Sequence, residues 1–245
     1  MDITVGNINL INGCLLWSAF VMYLGRRYGL FALLIFLSAL CKNVEILFLG
    51  LLLFERDTKA YRWFAAGLLS FIALHVAGYL SYPAFYKEWL HNVNTIPEWG
   101  ALNPASLPAI EGAVFGLCHL LGLYDVWGRM GQMVYLVYVP ALLIGSWFAL
   151  RRVDFSRDRI ALLMLAIFAY ALILPRFKDY SYVLLIAPAA WVIVCRMGNR
   201  YLQVIAVLLV IMPVYKYQPL AVAGLFYAYL LRDLRNKQLS AFEIV

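Results

Sequence analysis

The chain has 245 residues, of which 65% are hydrophobic and 13% charged, and its mean hydropathy is +0.82. A soluble domain is about half apolar and about a quarter charged, so this composition excludes one and gives a polytopic membrane protein. The net charge of +7 is no mark of nucleic-acid binding. Fourteen of the twenty basic residues fall in five short clusters between apolar spans, where they meet anionic headgroups.

The clusters are Arg26/Arg27; Arg56, Lys59 and Arg62; Arg151, Arg152, Arg157 and Arg159; Arg196 and Arg200; and Arg232, Arg235 and Lys237. Lys and Arg accumulate in cytoplasmic loops, so each cluster marks a return to the cytoplasm of a multi-pass protein in the cell membrane. Lys42, Lys87, Arg129, Arg176, Lys178 and Lys216 remain. They face the opposite side or lie at membrane depth, where a charge is costly and usually functional.

In chain order the apolar pattern predicts spans near 8–24, 30–41, 44–54, 63–82, 132–150, 160–175, 181–195, 201–217 and 219–231. This is an all-α architecture of about eight to ten helices, some short or broken. The first span runs from outside to inside, because Asp2 precedes it and Arg26/Arg27 follow, the reverse of a secretory signal. A crossing helix needs roughly 20 residues, and 30–41 and 44–54 are each too short. One continuous helix there would put two basic clusters on opposite sides. A hairpin turning at Lys42–Glu45 keeps both inside and is the prediction, with a tip that must be buried in protein or in a water-lined cavity.

Residues 83–131 form the long extracytoplasmic segment, with Pro83, Pro97, Pro104 and Pro108 among Tyr82, Phe85, Tyr86, Trp89, Trp99, Phe115, Tyr124 and Trp127. Such aromatics favour the headgroup layer, so short amphipathic helices along the outer interface are expected. Residues 110–123 fit either that description or a partly inserted helix. The last two spans turn at Gln218-Pro219 by the logic of the first hairpin. Without a linker, a low-complexity tract or a repeat, residues 1–245 read as one membrane domain.

Cys14, Cys41, Cys118 and Cys195 are scattered singly, as are His75, His91 and His119. No pair has metal-ligand or redox spacing, so neither a metal nor another cofactor is expected. The polar groups of the outer side fall in four stretches instead. They are Gly6-Asn7-Ile8-Asn9, Lys42-Asn43-Val44-Glu45, Asn103-Pro104-Ala105-Ser106-Leu107 and Pro175-Arg176-Phe177-Lys178-Asp179-Tyr180. Each has a plain alternative. Asn7 and Asn9 suit a helix cap, Lys42 and Glu45 a local ion pair, Asn103 and Ser106 a turn, and Arg176, Lys178 and Asp179 a solvated loop. Their shared side favours a common use: Arg and Lys grip a phosphate-bearing lipid head, while amides and hydroxyls bond a sugar.

At these four stretches the chain resembles the C-terminal part of glycosyltransferase family 87, a polytopic GT-C-type family. The family's Gly-Gln-x-Asn element is similar to Gly6-Asn7-Ile8-Asn9, with Asn for Gln. Its Lys-Pro-x-Pro-like break resembles Lys42-Asn43-Val44-Glu45, which keeps the Lys and lacks both prolines. Its Asn-Gln-Ser-Leu element resembles Asn103 to Leu107 with one extra residue, and its Tyr-rich helix opening resembles Asp179-Tyr180-Ser181-Tyr182 through Pro188. The resemblance implies a GT-C-like fold and transfer of a sugar, by analogy mannose, from a polyprenyl-phosphate donor in the bilayer to an extracytoplasmic glycan or glycolipid.

On that resemblance Lys42, Arg176 and Lys178 would bind the donor phosphate. Asn7, Asn9, Glu45, Asn103, Ser106, Asp179 and Tyr180 would contact sugar or acceptor. Enzymes of this type place a catalytic carboxylate in a first extracytoplasmic loop that would precede Met1, and Asp2 is no substitute. The resemblance therefore implies a further N-terminal portion or a partner subunit and leaves the catalytic residue unassigned. Two other readings stand beside it: a lipid or solute transporter or flippase component, for which an internal repeat is lacking, and a non-catalytic membrane subunit.

Overall fold

Backbone polar groups have no water to turn to inside a bilayer, and helices satisfy them within one segment. The chain is helical accordingly. The computed structural model describes residues 3–94, 106–107, 117–118, 120–122, 127–151, 153, 155, 158–174, 177–178, 182–211 and 218–242. In order, the elements are α1 (Ile3–Leu24), α2 (Tyr28–Cys41), a 3-10 helix (Asn43–Phe54), α3 (Thr58–Ser81), α4 (Pro83–Asn94), β1 (Ser106–Leu107), α5 (Trp127–Leu150), α6 (Arg159–Ile173), β2 (Phe177–Lys178), α7 (Val183–Cys195), α8 (Arg200–Ile211) and α9 (Gln218–Phe242). The expected all-α class holds, with one two-residue antiparallel pair, β1–β2, added among the described residues. The chain divides into two units: Met1–Pro97 with Phe155–Leu163, and Glu98–Asp154 with Met164–Val245.

In the first unit α1 ends with Arg26 in the left-handed region at φ 59°. The Arg26 N–H reaches the Tyr23 carbonyl at 3.0 Å and the Arg27 N–H the Met22 carbonyl at 2.9 Å, closing the last turn. α2 and the 3-10 helix then form the predicted hairpin. At about 1.5 Å per residue α2 rises about 21 Å, and at about 2.0 Å per residue the 12-residue 3-10 helix rises about 24 Å. The tighter winding lets the shorter leg match the longer one, and neither reaches across a core of about 30 Å. The two legs meet again at their base, where Tyr28 Oη donates to Glu55 Oε2 at 2.9 Å. The chain returns to the end it left.

α3 follows, capped by the Asp57 carboxylate, which accepts from the Lys59 N–H at 2.9 Å. It is 24 residues long, its most apolar 18-residue stretch has mean hydropathy 1.7, and it is the one helix among the described residues long and apolar enough to cross a membrane. Almost none of its apolar stretch is buried against protein, and Leu69 and Leu80 lie open at 64% and 72% exposure. Its inner side packs on the hairpin through Gly67, where an added Cβ would stand 2.9 Å from Leu49 Cδ1. Pro83 opens α4, which folds back so that Tyr86 lies against Gly78 and bonds His75 Nδ1.

In the second unit the short helices α7 and α8, of 13 and 12 residues, are joined to each other and to α9 by side-chain caps. Gln203 Nε2 donates to the Ile193 and Met197 carbonyls at 3.0 and 2.7 Å, closing the end of α7. Gln218 Nε2 does the same for α8, reaching the Leu209 and Val210 carbonyls at 2.7 and 3.1 Å. Tyr182 Oη also donates to the Val210 carbonyl at 2.9 Å. The start of α7, the end of α8 and the start of α9 therefore share one end. At the other, Arg196 pairs with Asp233 at 3.2 Å and Tyr229 Oη donates to the Arg196 carbonyl. α9 runs to Phe242, past the expected stop at 231, because the segment after it holds no Gly or Pro and is built of good helix formers. Phe168 and Phe226 stack at 5.5 Å in the core between α6 and α9.

Candidate functional site

A polar side chain inside an apolar helix is unfavourable unless it finds a partner, so gatherings of such groups locate sites. In the first unit one gathering lies at the hairpin tip. Lys42 is extended (φ −148°, ψ 96°) and serves at once as the last cap of α2 and the first cap of the 3-10 helix. Its N–H bonds the Ser38 carbonyl at 3.1 Å, and its own carbonyl accepts the Glu45 N–H at 2.9 Å. The whole turn is one residue, and that residue is the lysine.

Beside the turn Glu45 is 3% exposed. Asn12 Nδ2 of α1 donates to its Oε1 at 2.7 Å, and Ser38 Oγ meets its Oε2. Ser38 Oγ also lies 2.7 Å from Asn12 Oδ1. Three side chains from α1, α2 and the 3-10 helix thus form a closed ring. Lys42 acts on Glu45 electrostatically, while the hydrogen bonds of the carboxyl go to Asn12 and Ser38.

The opposite end of the same unit holds a second gathering. Arg159 pairs with Glu55 and donates to Tyr28 Oη at 3.1 Å, with the two charged side chains 10% and 2% exposed. Arg159 was counted with a headgroup cluster from its sequence position. It is instead a buried partner of the hairpin base.

In the second unit the strand pair joins two of the four polar stretches. Its register sets Ser106 opposite Lys178 and Leu107 opposite Phe177. Lys178 lies only four residues before Tyr182, so the pair belongs to the end opposite Arg196 and Asp233. Among the other expected site residues, Asn103, Arg176, Asp179 and Tyr180 lie outside the described residues, as do nine of the fourteen residues of 110–123. Asn7 and Asn9 lie in the first turns of α1, with side chains outside the description.

The family model of glycosyltransferase family 87 matches residues 2–175, well over half of the chain. This chain belongs to glycosyltransferase family 87. Membership makes it a membrane glycosyltransferase, of a kind that uses lipid-linked donors. No curated protein and no solved structure matches it. Asn7, Asn9, Lys42, Glu45, Asn103 and Ser106 fall within the matched residues, whereas Arg176, Lys178, Asp179 and Tyr180 follow them.

Sequence reasoning missed Asn12, Ser38, Glu55 and Arg159 as members of these gatherings. A signal existed for Asn12, which stands three residues after Asn9 and so continues a polar row along a helix. Ser38 is a single hydroxyl in an apolar run and carries no comparable mark.

Proposed function

We propose that this family member transfers mannose from a polyprenyl-phosphate donor to an extracytoplasmic glycan or glycolipid. The acceptor oxygen attacks the anomeric carbon, the bond from that carbon to the phosphate oxygen breaks, and polyprenyl phosphate leaves with its charge. Inverting attack on a beta-linked donor gives an alpha linkage. The acceptor proton passes to a base that this reading leaves unassigned. Basic loops face the cytoplasm; the N-terminus and the 83–131 segment face outward.

Lys42, Arg176 and Lys178 stabilise the departing phosphate, as preorganised cations do where charge develops. Asn7, Asn9, Asn103, Ser106, Asp179 and Tyr180 bond sugar or acceptor, whereas Glu45, expected among them, is 3% exposed with its carboxyl engaged by Asn12 and Ser38. The observation that supports this best is the pairing of Ser106 with Lys178, which sets a hydroxyl residue and a cation from remote stretches side by side. Neither a solvated loop nor a lone turn requires that register.

The test is donor binding and transfer by the Arg176→Gln/Lys178→Gln double variant. Loss of one charge-assisted contact costs about 1.5–3 kcal/mol, so transfer should fall by at least about a hundredfold for the pair. Unchanged donor binding and transfer would sink the proposal. Movement of intact donor across the bilayer, without sugar release, would favour the transporter reading.

A further inference from the structure

The ring of Asn12, Ser38 and Glu45 has three oxygen or nitrogen contacts, and each needs one hydrogen along it. Asn12 has donors only on Nδ2, so whichever way its amide points, it supplies the hydrogen for one of its two ring contacts and an acceptor to the other. Ser38 has a single hydroxyl hydrogen and supplies one more. An ionised Glu45 supplies none, which leaves two acceptor oxygens pressed together without a hydrogen between them. Turning the amide over moves the deficit from Glu45 Oε2 to Glu45 Oε1 and does not remove it.

We propose that Glu45 is held as the neutral carboxylic acid, and that the closed ring it completes positions Lys42 for the donor phosphate. With one proton on Glu45 the count closes: Glu45 donates to Ser38 Oγ, Ser38 donates to Asn12 Oδ1, and Asn12 Nδ2 donates to Glu45 Oε1. No buried acceptor then stands against another. Neutrality also suits the place, since an ionised group this buried would require far stronger compensation.

The ring ties the turn from both sides. Ser38 is the residue whose carbonyl accepts the Lys42 N–H, and Glu45 is the residue whose N–H bonds the Lys42 carbonyl. Both peptide groups of Lys42 are therefore anchored to residues that the ring locks to each other and to α1. Lys42 is thereby offered at a fixed point as the ordered apex of the hairpin. Glu45 is a positioning residue here, acting through Lys42. The positioning half of this proposal rests on the donor reading above.

Two measurements on the full chain in lipid nanodiscs test it. Infrared difference spectra of the wild type against Glu45→Gln should show a protonated carboxyl carbonyl band at neutral pH that the variant lacks. A carboxylate band in its place overturns the neutral ring. Titration with polyprenyl-phosphate-mannose reads the positioning. Glu45→Gln restores the count, because its amide donates to Ser38 and its oxygen accepts from Asn12, so binding should stay within about threefold of wild type. Glu45→Ala strands Asn12 and Ser38 and should weaken binding by about tenfold to about a hundredfold.

Lys42→Gln should weaken binding by a similar factor, and adding Glu45→Ala to it should change little further. Fully additive losses would mean that Glu45 serves the donor independently and would overturn the positioning role. If Lys42→Gln leaves binding intact, the donor reading of Lys42 falls and takes the positioning with it, while the infrared band still decides the ring. Should Glu45→Ala not fold, Ser38→Ala opens the same ring with less lost volume and is read the same way.

Discussion

Replacing Arg159 by Gln should be among the most damaging single changes in the first unit. Arg159 and Glu55 are 10% and 2% exposed, so the change strands a carboxylate that no solvent reaches. Tyr28 Oη still donates to Glu55 at 2.9 Å, but one neutral donor does not replace a guanidinium. Breaking a buried pair from one side costs about 3–5 kcal/mol. For a chain of this size that lowers the melting midpoint by about 6–20 °C. The pair itself is imperfect, since Glu55 Oε1 and Arg159 Nε are buried without a hydrogen-bond partner among the described residues. Its attraction thus barely offsets its desolvation, and an apolar pair in its place should be close to neutral. Thermal unfolding in nanodiscs would compare wild type, Arg159→Gln, Glu55→Gln and Glu55→Leu/Arg159→Met. The singles should fall and the double should recover. A loss below about 1 kcal/mol for Arg159→Gln, the range of an exposed pair, would refute the reasoning.

Gly67→Ala should destabilise the unit by about 1–3 kcal/mol, and more than Gly29→Ala. The new Cβ at 67 meets Leu49, which is 1% exposed and has nowhere to go, while at 29 it meets the Trp63 indole, which is 47% exposed and can swing outward. Thermal midpoints of both variants check the order, and equal losses would contradict it. In the second unit, Gln218→Leu removes the donor to the Leu209 and Val210 carbonyls and should cost about 1 kcal/mol. Hydrogen exchange should rise in the last turn of α8 and stay unchanged in α5.

The hairpin was legible in the sequence because charge decides it. Lys42 and Glu45 interrupt an apolar run whose flanking clusters both carry arginines, and one straight helix cannot satisfy that pattern. The structure agrees through the Tyr28–Glu55 bond at the base. The reach of α9 to Phe242 was not legible, because Arg232, Arg235 and Lys237 looked like the end of a span. Basic residues end the apolar character of a segment without ending its helix, and hydropathy reports only the first. Arg159 was misplaced for a related reason: its neighbours Arg151, Arg152 and Arg157 made it resemble a headgroup contact, yet Glu55 lies 104 residues away in sequence.

What a sequence withholds in a membrane protein is the partner and not the presence of a polar group. Asn12, Ser38 and Glu45 each stand in an apolar stretch, where a polar side chain persists only with its hydrogen bonds made. Their positions state that partners exist. Asn12 and Glu45 are 33 residues apart, and nothing in periodicity says that α1 rather than α3 supplies the amide. Ser106 and Lys178 follow the same rule, since two-residue strands carry no alternation to read. Once the partners are placed, counting hydrogens yields more than either source alone. The sequence supplies how many donors each group owns, the fold supplies which contacts must be filled, and at Glu45 the two sums agree only when the acid keeps its proton.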